Sequence, residues 1–252
     1  MLGVGHSNGT APTLTEAFLA ELDTVPGWFD RPDIYLFDWI LRRQTALEPP
    51  GDLAEIGAYH GKSAIVIGLH QRPGERFTVC DLFGGEPPDP AQLDPILPGK
   101  GPSYRDVTRQ AFETQYLRFH ATLPHIVHAP SEQLLGHVRP GTHRFVHIDG
   151  GHLYAVVRAD LAAARTMLRS GGIVVCDDYR ADHTPGVAAA VWQAVLEQGL
   201  VPMCVSASKF YGSFGAQAQL SAGLVGWLRD HPELHCEVQS VLGRPLIRIF
   251  TT

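Results

Sequence analysis

The stretch from 144 to 179 constrains this chain more than any other. Arg144-Phe145-Val146-His147-Ile148 is a short apolar-rich run that ends in Asp149-Gly150-Gly151-His152. An amphipathic helix follows, with Leu153, Val156, Val157, Leu161, Ala164, Met167 and Leu168 on one face. Gly171-Gly172 reads as its stop. Ile173-Val174-Val175-Cys176 is then apolar without interruption and ends in Asp177-Asp178-Tyr179. Strands covered on both faces have this pattern in parallel sheets.

The same alternation runs through the rest of the chain. Strands are expected at 53–56, 77–80, 126–127, 201–205 and 245–250. Helices are expected from 61 to about 70 and over 112–123, 187–197 and 220–228. This predicts an α/β domain with a mostly parallel, doubly wound, Rossmann-like sheet and helices on both faces. Two further helices, 15–22 and 34–47, precede the first strand, with Phe18, Leu19, Leu22, Ile34, Phe37, Ile40 and Leu41 at helical spacing. They are expected to pack on the sheet edge or over the site, after a flexible arm at 1–13 that lacks the apolar core of a signal peptide. The chain reads as one domain over 1–252. Residues 84–110, with Glu86-Pro87-Pro88-Asp89-Pro90, Pro95, Pro98 and Pro102, are too polar and proline-rich for core, and read as a substrate lid.

Several function classes fall away. A net charge of −6 without a basic stripe argues against nucleic acid. No apolar run has the length of a membrane span. Cys80, Cys176, Cys204 and Cys236 form no CxxC pair, and Cys80 and Cys176 lie in strands as buried thiols, which fits a reducing cytoplasm.

The chemistry gathers at strand ends. In Leu53-Ala54-Glu55-Ile56-Gly57-Ala58-Tyr59-His60-Gly61-Lys62-Ser63-Ala64, a strand gives way to a glycine turn and a helix. Gly57 and Gly61 allow a sharp turn and close approach to a bound molecule, and the opening helix offers unpaired N–H groups. A plain βα connection would look the same. Asp81 ends the second strand about 25 residues on, where an acidic side chain can hold ribose hydroxyls; a turn aspartate is the bland alternative. Ser131 is placed to cap the next helix and lies over the same crevice. Asp149, Asp177 and Asp178 follow neighbouring strands, and three like charges in one volume need a cation. Oxygen ligands suit Mg²⁺, and zinc spacing is absent. His152, three residues after Asp149, can act as general base. The alternative is that these residues only cap helices and make structural hydrogen bonds.

Taken together, the motifs over about residues 50–200 resemble class I S-adenosylmethionine-dependent O-methyltransferases that use a divalent metal. The segment 55–64 is similar to the first motif of catechol O-methyltransferases. The resemblance implies that Glu55 belongs to the cofactor site, Gly57, Tyr59 and Ser63 line the methionine end of the cofactor, Asp81 holds the ribose, and Ser131 and Glu132 border the adenine. It implies Asp149, Asp177 and Asp178 as metal ligands, with Asp149 also beside the cofactor. His152 stands where the catechol group has lysine, and Asp178 where it has asparagine. Both features match the macrocin-type sugar O-methyltransferases of antibiotic biosynthesis, which Ile148-Asp149-Gly150-Gly151-His152-Leu153-Tyr154 and 171–179 resemble closely. The expected partners are S-adenosylmethionine, Mg²⁺ or another divalent cation, and a small-molecule acceptor, a glycoside, with no nucleic acid and no membrane. The lid and 206–215 are expected to choose the acceptor, and the N-terminal helices could pair subunits into a homo-oligomer. The rivals are an aromatic catechol methyltransferase and a non-catalytic cofactor-binding protein. A dinucleotide dehydrogenase is disfavoured because no G-x-G-x-x-G follows the first strand.

Overall fold

The structure, a computed structural model, describes residues 14–85, 107–215 and 218–251. The expected arm at 1–13 and residues 86–106 of the expected lid lie outside the described residues. The elements run α1 (Glu16–Asp23), α2 (Arg31–Leu47), β1 (Asp52–Ile56), α3 (Lys62–Gly68), β2 (Phe77–Asp81), α4 (Arg109–Tyr116) and β3 (His125–His128). A short 3₁₀ helix (Ser131–Gly136), β4 (His143–Ile148), α5 (Tyr154–Met167), β5 (Leu168–Cys176), α6 (Pro185–Glu197) and β6 (Val201–Val205) follow. The chain then forms β7 (Phe210–Ser213), α7 (Ala218–Arg229), β8 (His235–Val241) and β9 (Arg244–Phe250).

The strands make one sheet in the order β3-β2-β1-β4-β5-β7-β6-β9-β8. The run from β3 to β5 is parallel, β7 lies antiparallel between β5 and β6, β9 is parallel to β6, and β8 closes the edge antiparallel. The mostly parallel, doubly wound sheet expected from the sequence is therefore present, with helices on both faces. Phe37, Ile65, Phe112 and Leu224 bring α2, α3, α4 and α7 onto one face. Leu161 and Val191 bring α5 and α6 onto the other. Every residue of β1 and β4 is buried, as central strands covered on both sides must be. No described helix is long and apolar enough to cross a membrane.

Phe37 fastens the N-terminal helix to the sheet. Its ring meets Phe29, Phe145, His147 and Tyr211 edge-on, at centroid distances of 4.9 to 6.1 Å, an arrangement that adds to simple burial. At the amino end of the sheet a buried ion pair does the same work. Arg144 Nε and Nη2 donate to Glu75 Oε1 and Oε2 at 3.0 and 2.9 Å, and Nη2 also donates to the His70 carbonyl. Gln44 of α2 closes the cluster by donating to the Arg144 carbonyl at 2.6 Å.

Three expectations change. The helix over 112–123 is the shorter α4, starting at Arg109 with Thr108 as its cap and ending at Tyr116. Gly171-Gly172 does not stop a helix: α5 ends at Met167 and both glycines lie inside β5. A Cβ on Gly172 would stand 2.8 Å from the His143 carbonyl oxygen, so close strand packing is its reason. Two strands went unread. β7 has four residues, all buried, too few to show a period, and β8 is an exposed polar edge. Residues 206–215, expected to help choose the acceptor, form the tight β6–β7 turn and buried β7. The thiols of Cys80 and Cys176 are buried and free, as expected.

Candidate active site

The sheet order reverses between β1 and β4, and ligands of open α/β sheets bind at the carboxyl ends of strands beside such a reversal. Gly57 and Asp149 stand at that point, each one residue past its strand. The two connections touch: the Asp149 N–H donates to the Ile56 carbonyl at 2.7 Å. A Cβ on Gly57 would lie 2.0 Å from the Asp149 carbonyl oxygen, and Gly57 has φ +80°. Glycine is therefore required by backbone packing between the two connections, whatever binds above them.

Glu55, fully buried on β1, accepts from Ser63 Oγ at 2.5 Å and pairs with His147 Nδ1 at 2.8 Å. Among the described residues, its second oxygen and His147 Nε2 are buried without a hydrogen-bond partner. These are unspent polar groups under the crevice, where a bound polar molecule would engage them. Asp81 turns back onto the glycine turn: Oδ2 accepts from the Ala58 and Tyr59 N–H groups at 2.5 and 3.1 Å, and Oδ1 accepts from Phe83 N–H at 2.5 Å. Its carboxylate shapes the turn, and Oδ1, which accepts a single hydrogen bond, retains a second lone pair for a ligand. α3 spans only seven residues, so its dipole adds little.

Ser131 and Glu132 begin the 3₁₀ helix after β3, and the capping position belongs to Pro130, with no side-chain cap. The expected cap at Ser131 is thus replaced: its hydroxyl bonds the buried Asp160 carboxyl of α5. Burial pushes the Asp160 carboxyl up to about 7. Ser131, Asp81, Gly57 and Asp149 accordingly line the ends of four successive strands, β3-β2-β1-β4.

The three aspartates do not share one point. Asp149, His152 and Asp178 place ligand atoms within 4.8 Å of one another, and so do His147, Asp149 and Asp177. Asp149 belongs to both groups. Asp178 has φ +55°, an unusual left-handed conformation for a non-glycine residue. Its Oδ2 meets His152 Nε2 at 2.9 Å. Asp177 instead accepts from the Asp178 N–H at 2.8 Å and pairs with the Lys209 ammonium.

Lys209 is the residue that sequence reasoning missed. It sits in the β6–β7 turn, 1% exposed, with its ammonium 5.3 Å from the Phe29 ring centroid. Burial opposes its charge, but Asp177, Asp149 and Asp33 outweigh burial and raise its pKa. Burial alone would raise the Asp177 carboxyl; Lys209 and His147 overcome it and hold Asp177 at about 2. Asp149 goes the other way: burial, then Asp177, Asp178 and Glu55, raise it well above the usual carboxylate range despite Lys209. Asp33 of α2 completes the network, accepting from Tyr211 Oη at 2.5 Å and Ser208 Oγ at 3.3 Å. A single lysine between Ser208 and Phe210 carries no local signal. His147, an imidazole inside an apolar strand, was a visible hint of a polar interior.

The donor set fits a divalent cation. Asp149 and Asp178 offer carboxylate oxygens beside the His152 imidazole.

A family model described as a methyltransferase domain matches residues 54–179. Several solved structures are similar. The O-methyltransferase NovP shares 18% identity at a TM-score of 0.57, over 73% of this chain and 79% of that one. The calicheamicin methyltransferase CalS11 shares 16% at 0.52, over 85% and 99%. The O-methyltransferase TomG from Streptomyces achromogenes, involved in tomaymycin synthesis and solved with S-adenosylmethionine, shares 13% at 0.50, over 78% and 86%. At these identities the likeness is one of fold. A search of curated proteins finds no match.

Proposed function

Because the chain belongs to the methyltransferase-domain family, we propose that it is an S-adenosylmethionine-dependent O-methyltransferase that uses a divalent cation, Mg²⁺ in the first instance, and methylates a sugar hydroxyl of a glycosylated natural product. The observation that carries the reading is the convergence of Asp149, His152 and Asp178 beside the β1/β4 reversal. The macrocin-type pattern of His152 and Asp178 supports a sugar acceptor. The calicheamicin and tomaymycin names of two proteins that share the fold favour a natural-product acceptor.

S-adenosylmethionine, when bound, supplies an electrophilic methyl group on a sulfonium sulfur. Gly57, Tyr59 and Ser63 would hold its methionine end, Asp81 the ribose, and Ser131 and Glu132 the adenine side. Asp149 and Asp178 would hold the cation, which supplies Lewis-acid polarisation of a bound hydroxyl. Asp178 fixes the His152 ring through Nε2 at 2.9 Å, as carboxylates commonly orient catalytic and ligating imidazoles. His152, held by Asp178, is the group that takes the acceptor's hydroxyl proton. With that proton held at His152, the acceptor oxygen would be free to receive the methyl group that S-adenosylmethionine supplies. The chain's main contribution is to hold the reactants in line.

The test is S-adenosylhomocysteine release with a panel of glycosylated natural products and simple catechols, with and without EDTA. Turnover on a glycoside that EDTA abolishes is the expected result. Turnover on catechols alone would refute the sugar acceptor, and turnover indifferent to EDTA would refute the cation.

A further inference from the structure

The acidic centre already contains one cation of its own. Lys209 is buried to 1% exposure, its ammonium meets the Asp177 carboxylate, and Asp149 and Asp33 act on it electrostatically. Nothing about the position is casual. The Lys209 N–H donates to Ser206 Oγ at 2.9 Å, and the Ser206 N–H donates to the Lys209 carbonyl at 2.9 Å, so the turn that carries the side chain is closed on both sides. The Phe29 ring lies against the ammonium, and Asp33 is held by Tyr211 and Ser208 on either side of the lysine. A full charge is costly to bury unless paired; here N-terminal helix, β5 end and β6–β7 turn converge to pair it.

We propose that Lys209 is a positioning residue that takes Asp177 out of metal ligation, so that a divalent cation is confined to Asp149 and Asp178 on the His152 side. This deepens the proposed function by saying which of the aspartates bind. An aspartate tied to an ammonium is a poor ligand, since a cation placed on it would face that ammonium at close range. The left-handed Asp178 has the complementary effect: it directs the second carboxylate to His152 rather than to Asp177. The geometry thus yields one cation position next to the base.

The test reads ion binding on the full chain, separately from methyl transfer. Mn²⁺ titration by calorimetry and by its EPR signal is compared for wild type, D177N, D178N and K209M, with melting curves with and without Mn²⁺. D178N is expected to weaken Mn²⁺ at least about tenfold, or about 1.4 kcal/mol, and D177N no more than about threefold. K209M removes the resident charge and frees Asp177. It is expected to bind Mn²⁺ at least about tenfold tighter than wild type, to melt lower without the ion, and to recover on adding it. Adding D177N to K209M should erase the gain. A lysine that merely supports the fold predicts the opposite sign, with weaker Mn²⁺ binding in K209M. Equal losses in D177N and D178N, or no tightening in K209M, would overturn the proposal. If K209M fails to fold even with Mn²⁺, the contrast between D177N and D178N in the lysine-bearing chain decides alone. A chain that shows this contrast but transfers no methyl group would sink the proposed function and leave the assignment of Lys209 intact.

Discussion

Gly57 offers the sharpest test of how the site is built, because a second glycine serves as its control. Gly57 and Gly74 have nearly the same backbone, φ +80° and +83°. Alanine in either place costs about 1–2 kcal/mol for a left-handed conformation. Their surroundings differ completely. A Cβ at Gly74 meets nothing within 4 Å, whereas at Gly57 it would lie 2.0 Å from the Asp149 carbonyl oxygen, 2.4 Å from its carbon and 2.7 Å from Gly150 Cα. All three are backbone atoms that cannot rotate aside. Restoring even a 3.0 Å contact requires the β1 and β4 connections to part by about 1 Å. Overpacking of this kind adds about 1–3 kcal/mol. G57A should therefore cost about 2–5 kcal/mol in all and G74A about 1–2. At about 2–4 °C per kcal/mol for a chain of this size, G57A should melt at least about 2 °C below G74A. Function should separate them further. A shift of about 1 Å between reacting groups costs on the order of 100-fold in rate, and the cofactor turn and Asp149 sit on opposite sides of the gap. Scanning fluorimetry and S-adenosylmethionine titration of both variants decide the matter. Equal melting points, or unchanged cofactor affinity in G57A, would show that the β1–β4 contact does not shape the site.

Three further predictions follow from other parts of the molecule. His152→Ala should keep S-adenosylmethionine affinity and lose about 10²- to 10⁴-fold in turnover; full turnover in steady-state assays would remove His152 from proton transfer. Asp160→Asn should stabilise the chain above neutral pH. The folded carboxyl stands at about 7, above its ordinary 3.8, so the folded state binds more protons than the unfolded one, and wild type loses stability as pH rises through that window. The loss reaches at most about 4 kcal/mol once pH exceeds 7. The Tm advantage of the variant should be large at pH 8 and vanish near pH 4; a constant difference would refute the assignment. Glu75→Gln should cost about 3–5 kcal/mol by leaving the Arg144 charge buried with half its partner gone, and the Glu75→Leu/Arg144→Met pair should recover much of that loss in urea denaturation. Recovery no better than the single change would show that the pair is not the unit that matters.

What could be read from local pattern, and what could not, follows from the range of the interactions. Apolar runs such as 173–176 and the amphipathic face of 153–168 report their own burial, because a strand or helix repeats over a few residues. The element order, the mostly parallel sheet and the acidic strand ends were legible for that reason. The same local reading failed at β7, which is too short to repeat, and at β8, whose exposed edge has no apolar face. It placed Asp149, Asp177 and Asp178 close together, but spacing that puts residues at strand ends does not aim their side chains. Only the tertiary structure decided that aim. The left-handed turn at Asp178 sends one carboxylate to His152, and the antiparallel return of β7 delivers Lys209 to the other. Sequence alone set which strand ends carry charge; the fold decided which charge meets which, because a buried ion pair depends on distance in space and leaves no period along the chain.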